Sequence, residues 1–225
     1  FYYVLRDNIE RGKTQLKDAV KMMDAFEYWF GPYPFYEDSF KIVEVPYLGM
    51  EHQSSITYGN KYMKGYLGRD LSRTGWGLKF DYIIIHEAGH EWFANNITYK
   101  DIADMWIHES FTTYSENLFL DYHYGKEASS EYVIGTRAGI SNSAPMIGPY
   151  GVNQRGSDIY SKGAKVSLKS VDKNHPFYNL EGSDNIVLFY TSRYSKQPLI
   201  VKGAGAGAEV TAAGIFADII RIANR

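Results

Sequence analysis

The stretch "IIIHEAGHEWFANN", Ile83 to Asn96, constrains this chain most. It is apolar and helix-friendly, yet it carries two histidines and two glutamates. A buried imidazole costs free energy unless its nitrogens find partners. On a helix, residues four apart lie about 40° round and about 6 Å along the axis from one another. His86 and His90 therefore aim their nitrogens at one point. Either a ligand is held there, or the segment is a poor core of two satisfied histidines.

The spacing is that of the His-Glu-x-x-His zinc arrangement. Glu87 lies about 100° round from His86, which suits contact with a water on a metal better than direct ligation. A catalytic site needs a third protein ligand and one open position. Glu109, in "DMWIHESFTTYSE" from Asp104 to Glu116, is the candidate. Eighteen residues separate it from His90, enough for a helix end, a turn and an antiparallel return. A solvated helix glutamate is the alternative, but Trp106, Ile107 and Phe111 beside it argue for burial, and a buried carboxylate needs a cation. Glu116 faces the same side; it either orients a zinc histidine or is an ordinary surface charge. His108 is read as packing at a helix start. His52, His123 and His175 lack ligand spacing.

Composition narrows the ligands. The 225 residues contain no cysteine, so any metal is held by His, Asp and Glu. With 24 basic and 26 acidic residues the net charge is −2, which argues against nucleic acid or an anionic membrane as the main partner. No apolar run spans a bilayer, so a soluble protein without membrane insertion is expected. The chain opens "FYYVLRDN", without Met or leader, and reads as cut from a longer protein, so its compartment stays undefined. Twenty tyrosines suggest a large aromatic core.

Along the chain, helical spacing of Leu16, Val20, Met23, Phe26 and Phe30 predicts a helix over 13–30, ended by Gly31-Pro32. Residues 40–45 and "SSITYG" read as strands, followed by a Gly-rich loop over 59–77. Helices are expected over 78–95, 101–124 and 126–139, and a loop over 141–163. Strands and turns follow, with 186–190 the clearest strand, then a Gly-Ala loop and a small-residue helix. A boundary is placed here, giving domains 1–163 and 164–225.

The blocks "FGPYPF", "LGMEHQ", "HEAGHEWFANN", "WIHESF" and "IYSKGA" resemble the gluzincin aminopeptidases, the family of aminopeptidase N, across residues 1–163. The resemblance implies a truncated, thermolysin-like zinc peptidase domain of α+β class. It implies one Zn2+ held by His86, His90 and Glu109, with Glu87 as general base. It further implies that Glu51 grips the free N-terminus of a peptide substrate and that Tyr160 stabilises the transition state. Leu48 and His52 depart from the family's Gly and Asn. The expected function is hydrolysis of N-terminal peptide bonds by a zinc-activated water.

The end of the chain, through "VDKNHPFYNLEGSDNIVLFYTSRY" and "VKGAGAGAEVTAAGIFADI", resembles the C-terminal end of homoserine dehydrogenase. It is expected to be a small α/β fragment. In that enzyme the Gly-rich segment lies near the nicotinamide nucleotide; a helix start bare of side chains suits phosphate. A flexible linker is the alternative reading of the same residues. The dinucleotide-binding half of that enzyme has no counterpart here, and no dehydrogenase activity is expected. The alternative function is a truncated or chimeric product that binds zinc without peptidase activity, or a nucleotide-binding fragment of homoserine dehydrogenase type.

Overall fold

The computed structural model describes residues 1–162, 172–178, 184–189 and 196–204. The chain divides into two compact units, Phe1–Val166 and Ser167–Arg225. In the first, a small mixed sheet and a set of helices make an α+β architecture. Expectations for the other residues, including most of the Gly-Ala loop and the terminal helix, lie outside the described residues.

The sheet runs β1 (Tyr2–Tyr3), β2 (Lys41–Glu44), β4 (Ser55–Tyr58), β3 (Gly49–Met50). β2 is parallel to both β1 and β4, and β3 is antiparallel to β4. Ile42 and Ile56 pair in register and are both buried, while β4 is buried on both faces from Ile56 to Tyr58. β1 and β3 are two residues each, too short to show a period-2 signal.

The single helix expected over 13–30 is two, α1 (Ile9–Gln15) and α2 (Asp18–Phe30), broken at Leu16 and Lys17. The buried face is Leu16, Ala19, Met22, Ala25 and Phe26, whereas Val20 is 59% exposed. Small alanines, rather than the β-branched valine, line the face where α2 packs closely on its neighbours. The helix expected over 78–95 begins later, as α3 (Tyr82–Gly89). Asp81 caps it: the side chain accepts from the Ile83 and Ile84 amides. Ile83, Ile84, Ile85 and Ala88 are buried, so the helix is apolar nearly all round, as its sequence requires. A π-helical turn over Glu91–Asn96 follows, and non-helical dihedrals at Phe93 and Ala94 end the rod. α4 (Trp106–Tyr124) and α5 (Lys126–Arg137) complete the unit.

Aromatic edges knit the core. Phe26 meets Trp92 at 5.7 Å, and Phe80 meets Phe119 at 5.4 Å and Tyr132 at 5.9 Å. Tyr33, Tyr58 and Tyr132 are core residues, but Tyr2, Tyr28, Tyr36, Tyr47 and Tyr150 are exposed. The expected tyrosine core is thus partial, because a phenol hydroxyl lets the ring sit at the surface. Residues 141–162 form an irregular strap. Asp158 accepts from the Asn142 amide at 2.8 Å, and the Gly148 amide donates to the Ala103 carbonyl at 2.9 Å.

In the second unit β5 (Asp184–Phe189) pairs antiparallel with β6 (Leu199–Ala204), so the strand expected over 186–190 starts two residues earlier. Among the described residues no helix is long and apolar enough to cross a membrane.

Candidate functional site

α3 and α4 lie against each other because Gly89 has no side chain. A Cβ there would stand 2.6 Å from Ser115 Oγ and 3.0 Å from Thr112 Cγ2. This approach carries Glu109, in the first turn of α4, to His86 and His90. Glu109 Oε2 is 3.5 Å from the Nε2 atom of each imidazole. All three ligand atoms lie within 4.8 Å of one another, and all three residues are buried.

The other imidazole nitrogens are occupied. His86 Nδ1 is 2.8 Å from Glu116 Oε1, and His90 Nδ1 is 3.0 Å from the Thr112 hydroxyl. With Nδ1 engaged on each ring, both Nε2 atoms face the shared point. Glu109 Oε2 is buried and has no hydrogen-bond partner. A tetrahedral ion with bonds of 2.0–2.1 Å has ligand–ligand edges of about 3.3 Å. The 3.5 Å spacings here are close to that edge. Two imidazoles and a carboxylate suit a divalent first-row transition ion. The residues therefore fit such a cation.

Metal-free, the donors partner one another. Burial opposes charge on His86, but the facing Glu109 and Glu116 carboxylates outweigh it and push the imidazole up to about 10. Burial likewise opposes charge on Glu109, and His86 and His90 outweigh it, holding the carboxyl down at about 2. Glu87 is raised, first by burial and further by Glu51 and Glu109, against the pull of both histidines.

Glu51, Glu87 and His90 offer a second set of donor atoms within 4.8 Å of one another. A cavity of about 550 Å³ opens beside them, and its lining includes Leu48, His86, Glu87, Glu116 and Tyr160. Tyr160 reaches it from the strap; Ser110 donates to the Ile159 carbonyl next to it. Burial raises the phenol, as does Glu109, while Arg155 opposes. Gly49 lets β3 pass close to α3, since a Cβ there would stand 2.7 Å from Ile83 Cγ2 and 3.1 Å from Glu87 Oε1. The structure thus brings His86, His90, Glu109, Glu87, Glu51 and Tyr160 to one region. Glu116 is 1% exposed and bonded to His86, so it is not a surface charge. His108 accepts from the Tyr99 amide at 3.1 Å, and burial lowers its pKa.

Three partners escape sequence reading. Thr112 sits one turn after Glu109, a spacing that was available. Tyr82 sits one turn before His86 on α3, again an available spacing, whereas Tyr132 reaches Glu116 only through the packing of α5 on α4. Asp81 was legible as a cap, an Asp directly before an apolar helical run.

Fold and site define an α+β protein with a His-His-Glu donor cluster beside a cleft. The homoserine dehydrogenase family model matches residues 94–220, more than half of the chain. The chain belongs to the homoserine dehydrogenase family, a family of enzymes. It is 57% identical over 67 residues to the bifunctional aspartokinase/homoserine dehydrogenase 1 of Zea mays, covering 30% of this chain and 7% of that one. It is 51% identical over 69 residues to the homoserine dehydrogenase of Schizosaccharomyces pombe, covering 31% and 18%. The chain therefore spans less than a fifth of these relatives. Among solved structures, the M1 zinc metallopeptidase of Deinococcus radiodurans aligns at 24% identity and TM-score 0.42. The alignment covers 56% of this chain and 25% of that one.

These matches correct the expected function. A zinc aminopeptidase, and with it the hydrolase, metallopeptidase and proteolysis assignment, is not what the chain's family is. The expected Zn2+ cofactor is corrected with it, since the matched family and relatives are dehydrogenases and not zinc peptidases. The physical reason is that a ligand spacing is a local signal. It fixes how a few side chains on two helices converge, and the mutual pairing of His86, His90, Glu109 and Glu116 is a sufficient outcome of that convergence.

Proposed function

We propose that the chain is a fragment of homoserine dehydrogenase type whose residues 164–225 supply part of a surface for a nicotinamide dinucleotide. The observation that carries this is the family match over residues 94–220, with identities of 51–57% in its relatives. Bare Gly-Ala backbone around Gly203 offers amide groups to phosphate without side-chain interference.

Residues 1–163 form, in this reading, a separate domain with a frame of thermolysin-like type. His86, His90 and Glu109 hold a divalent cation there, and Glu87, Glu51 and Tyr160 surround its open side without supporting peptide hydrolysis. The placement of buried Glu109 Oε2 at 3.5 Å from both Nε2 atoms, too long for a good hydrogen bond and close to a tetrahedral edge, favours the cation. Cobalt(II) titration of the full chain, followed by visible absorption, tests this part. One equivalent should bind, binding should be lost in Glu109→Ala, and a cobalt-loaded sample should release nothing from an aminoacyl anilide. No binding, or binding indifferent to Glu109→Ala, would overturn it.

A further inference from the structure

We propose that Tyr132 is a positioning residue for His86, acting through the Glu116 carboxylate. The inference rests on the cation reading above and adds to it the group that holds one ligand in place. Glu116 is on α4 and 1% exposed, and its two oxygens have separate partners. Oε1 is 2.8 Å from His86 Nδ1, and Oε2 accepts from the Tyr132 hydroxyl at 2.7 Å. Tyr132 is on α5 and 1% exposed, so no water replaces that donor. Tyr82 completes the enclosure: its ring stacks on His86 at 5.2 Å and 14°, with its hydroxyl 3.3 Å from Nδ1.

The chemistry follows from the assignment of lone pairs. A buried carboxylate needs a donor on each oxygen. The Tyr132 hydroxyl fixes Oε2, so Oε1 is turned to the imidazole and accepts the Nδ1 proton. That leaves Nε2 as the nitrogen facing Glu109 and any cation between them. His90 is held differently, by the neutral Thr112 hydroxyl at 3.0 Å. The two imidazoles are therefore oriented with unequal strength, and three helices converge on the stronger one.

The test uses the full chain and cobalt(II) as probe. Tyr132→Phe keeps the ring against Phe80 and removes only the hydroxyl. It should weaken cobalt(II) binding about 10–100-fold, the range for partners of metal ligands, with the ligand-field bands retained. Tyr33→Phe is the control. Tyr33 is also buried and its hydroxyl faces a carboxylate, Glu91 Oε2 at 3.3 Å, without touching His86. Its cobalt affinity should stay at the wild-type value. Equal affinity in Tyr132→Phe and wild type would overturn the proposal, as would equal losses in both variants. Should Tyr132→Phe fail to fold, Glu116→Gln must show the same weakening, and unchanged affinity there overturns it too. A wild-type chain that takes up no cobalt(II) would instead sink the cation reading itself.

Discussion

Burial opposes charge on His86, but the Glu109 and Glu116 carboxylates facing it outweigh that and push the imidazole up to about 10. A cation arriving at Nε2 displaces a proton from the ring. Below pH 10 the apparent cation affinity should thus rise with pH, about tenfold per unit. Calorimetry in buffers of different ionisation enthalpy should count about one proton released per cobalt(II) between pH 6.5 and 8.5. No release would mean that His86 is neutral in the free protein. Asp81 tests the fold rather than the site. Its carboxylate accepts from Tyr58 at 2.6 Å, Gln15 at 2.7 Å and Asn60 at 2.8 Å, besides capping α3. Burial pushes it up to about 6 against the pull of those donors. Asp81→Asn keeps one capping oxygen but cannot accept from all the side chains. It should cost about 1–3 kcal/mol in urea unfolding. A change near zero would show that these bonds contribute little.

Between α3 and α4 the decisive position is Gly89. Gly89→Ala places a methyl 2.6 Å from Ser115 Oγ and 3.0 Å from Thr112 Cγ2, so these side chains or the helices that carry them must shift. The expected cost is about 1–3 kcal/mol, with a fall in cobalt(II) affinity because Glu109 moves off the histidines. Unchanged affinity would show that the helix spacing does not set the cluster. Much of this was legible in the chain. Four-residue and eighteen-residue spacings placed His86, His90 and Glu109, because helix geometry converts such numbers into directions. Alternation and β-branching marked β2. Other features were not legible, for stated reasons. The break at Leu16–Lys17 has no glycine or proline to announce it. Val20 misled because the inward face of α2 is drawn by small alanines. Tyr132 lies sixteen residues from Glu116 on another helix, and only the packing of α5 on α4 brings them together.

At the scale of the whole molecule, a ligand motif and a family membership point to different chemistries. The family match begins at residue 94, after both histidines, and takes in Glu109, Glu116 and Tyr160 before running into the second unit. A short motif reports which side chains converge; the longer match reports what kind of chain they belong to. The second governs function, which is why the aminopeptidase expectation gives way while the convergence of its residues remains. In the second unit the described structure is the hairpin of β5 and β6, whose register sets Asn185 opposite Gly203. Gly203 and Ala204, the start of the Gly-Ala segment, thus close a paired strand. Titration of the full chain with NADPH, followed by calorimetry, bears on the proposed dinucleotide surface most directly. The account predicts saturable binding at one site, weakened when Gly203 is replaced by Val. Absence of any binding, with wild type and variant alike, would contradict it.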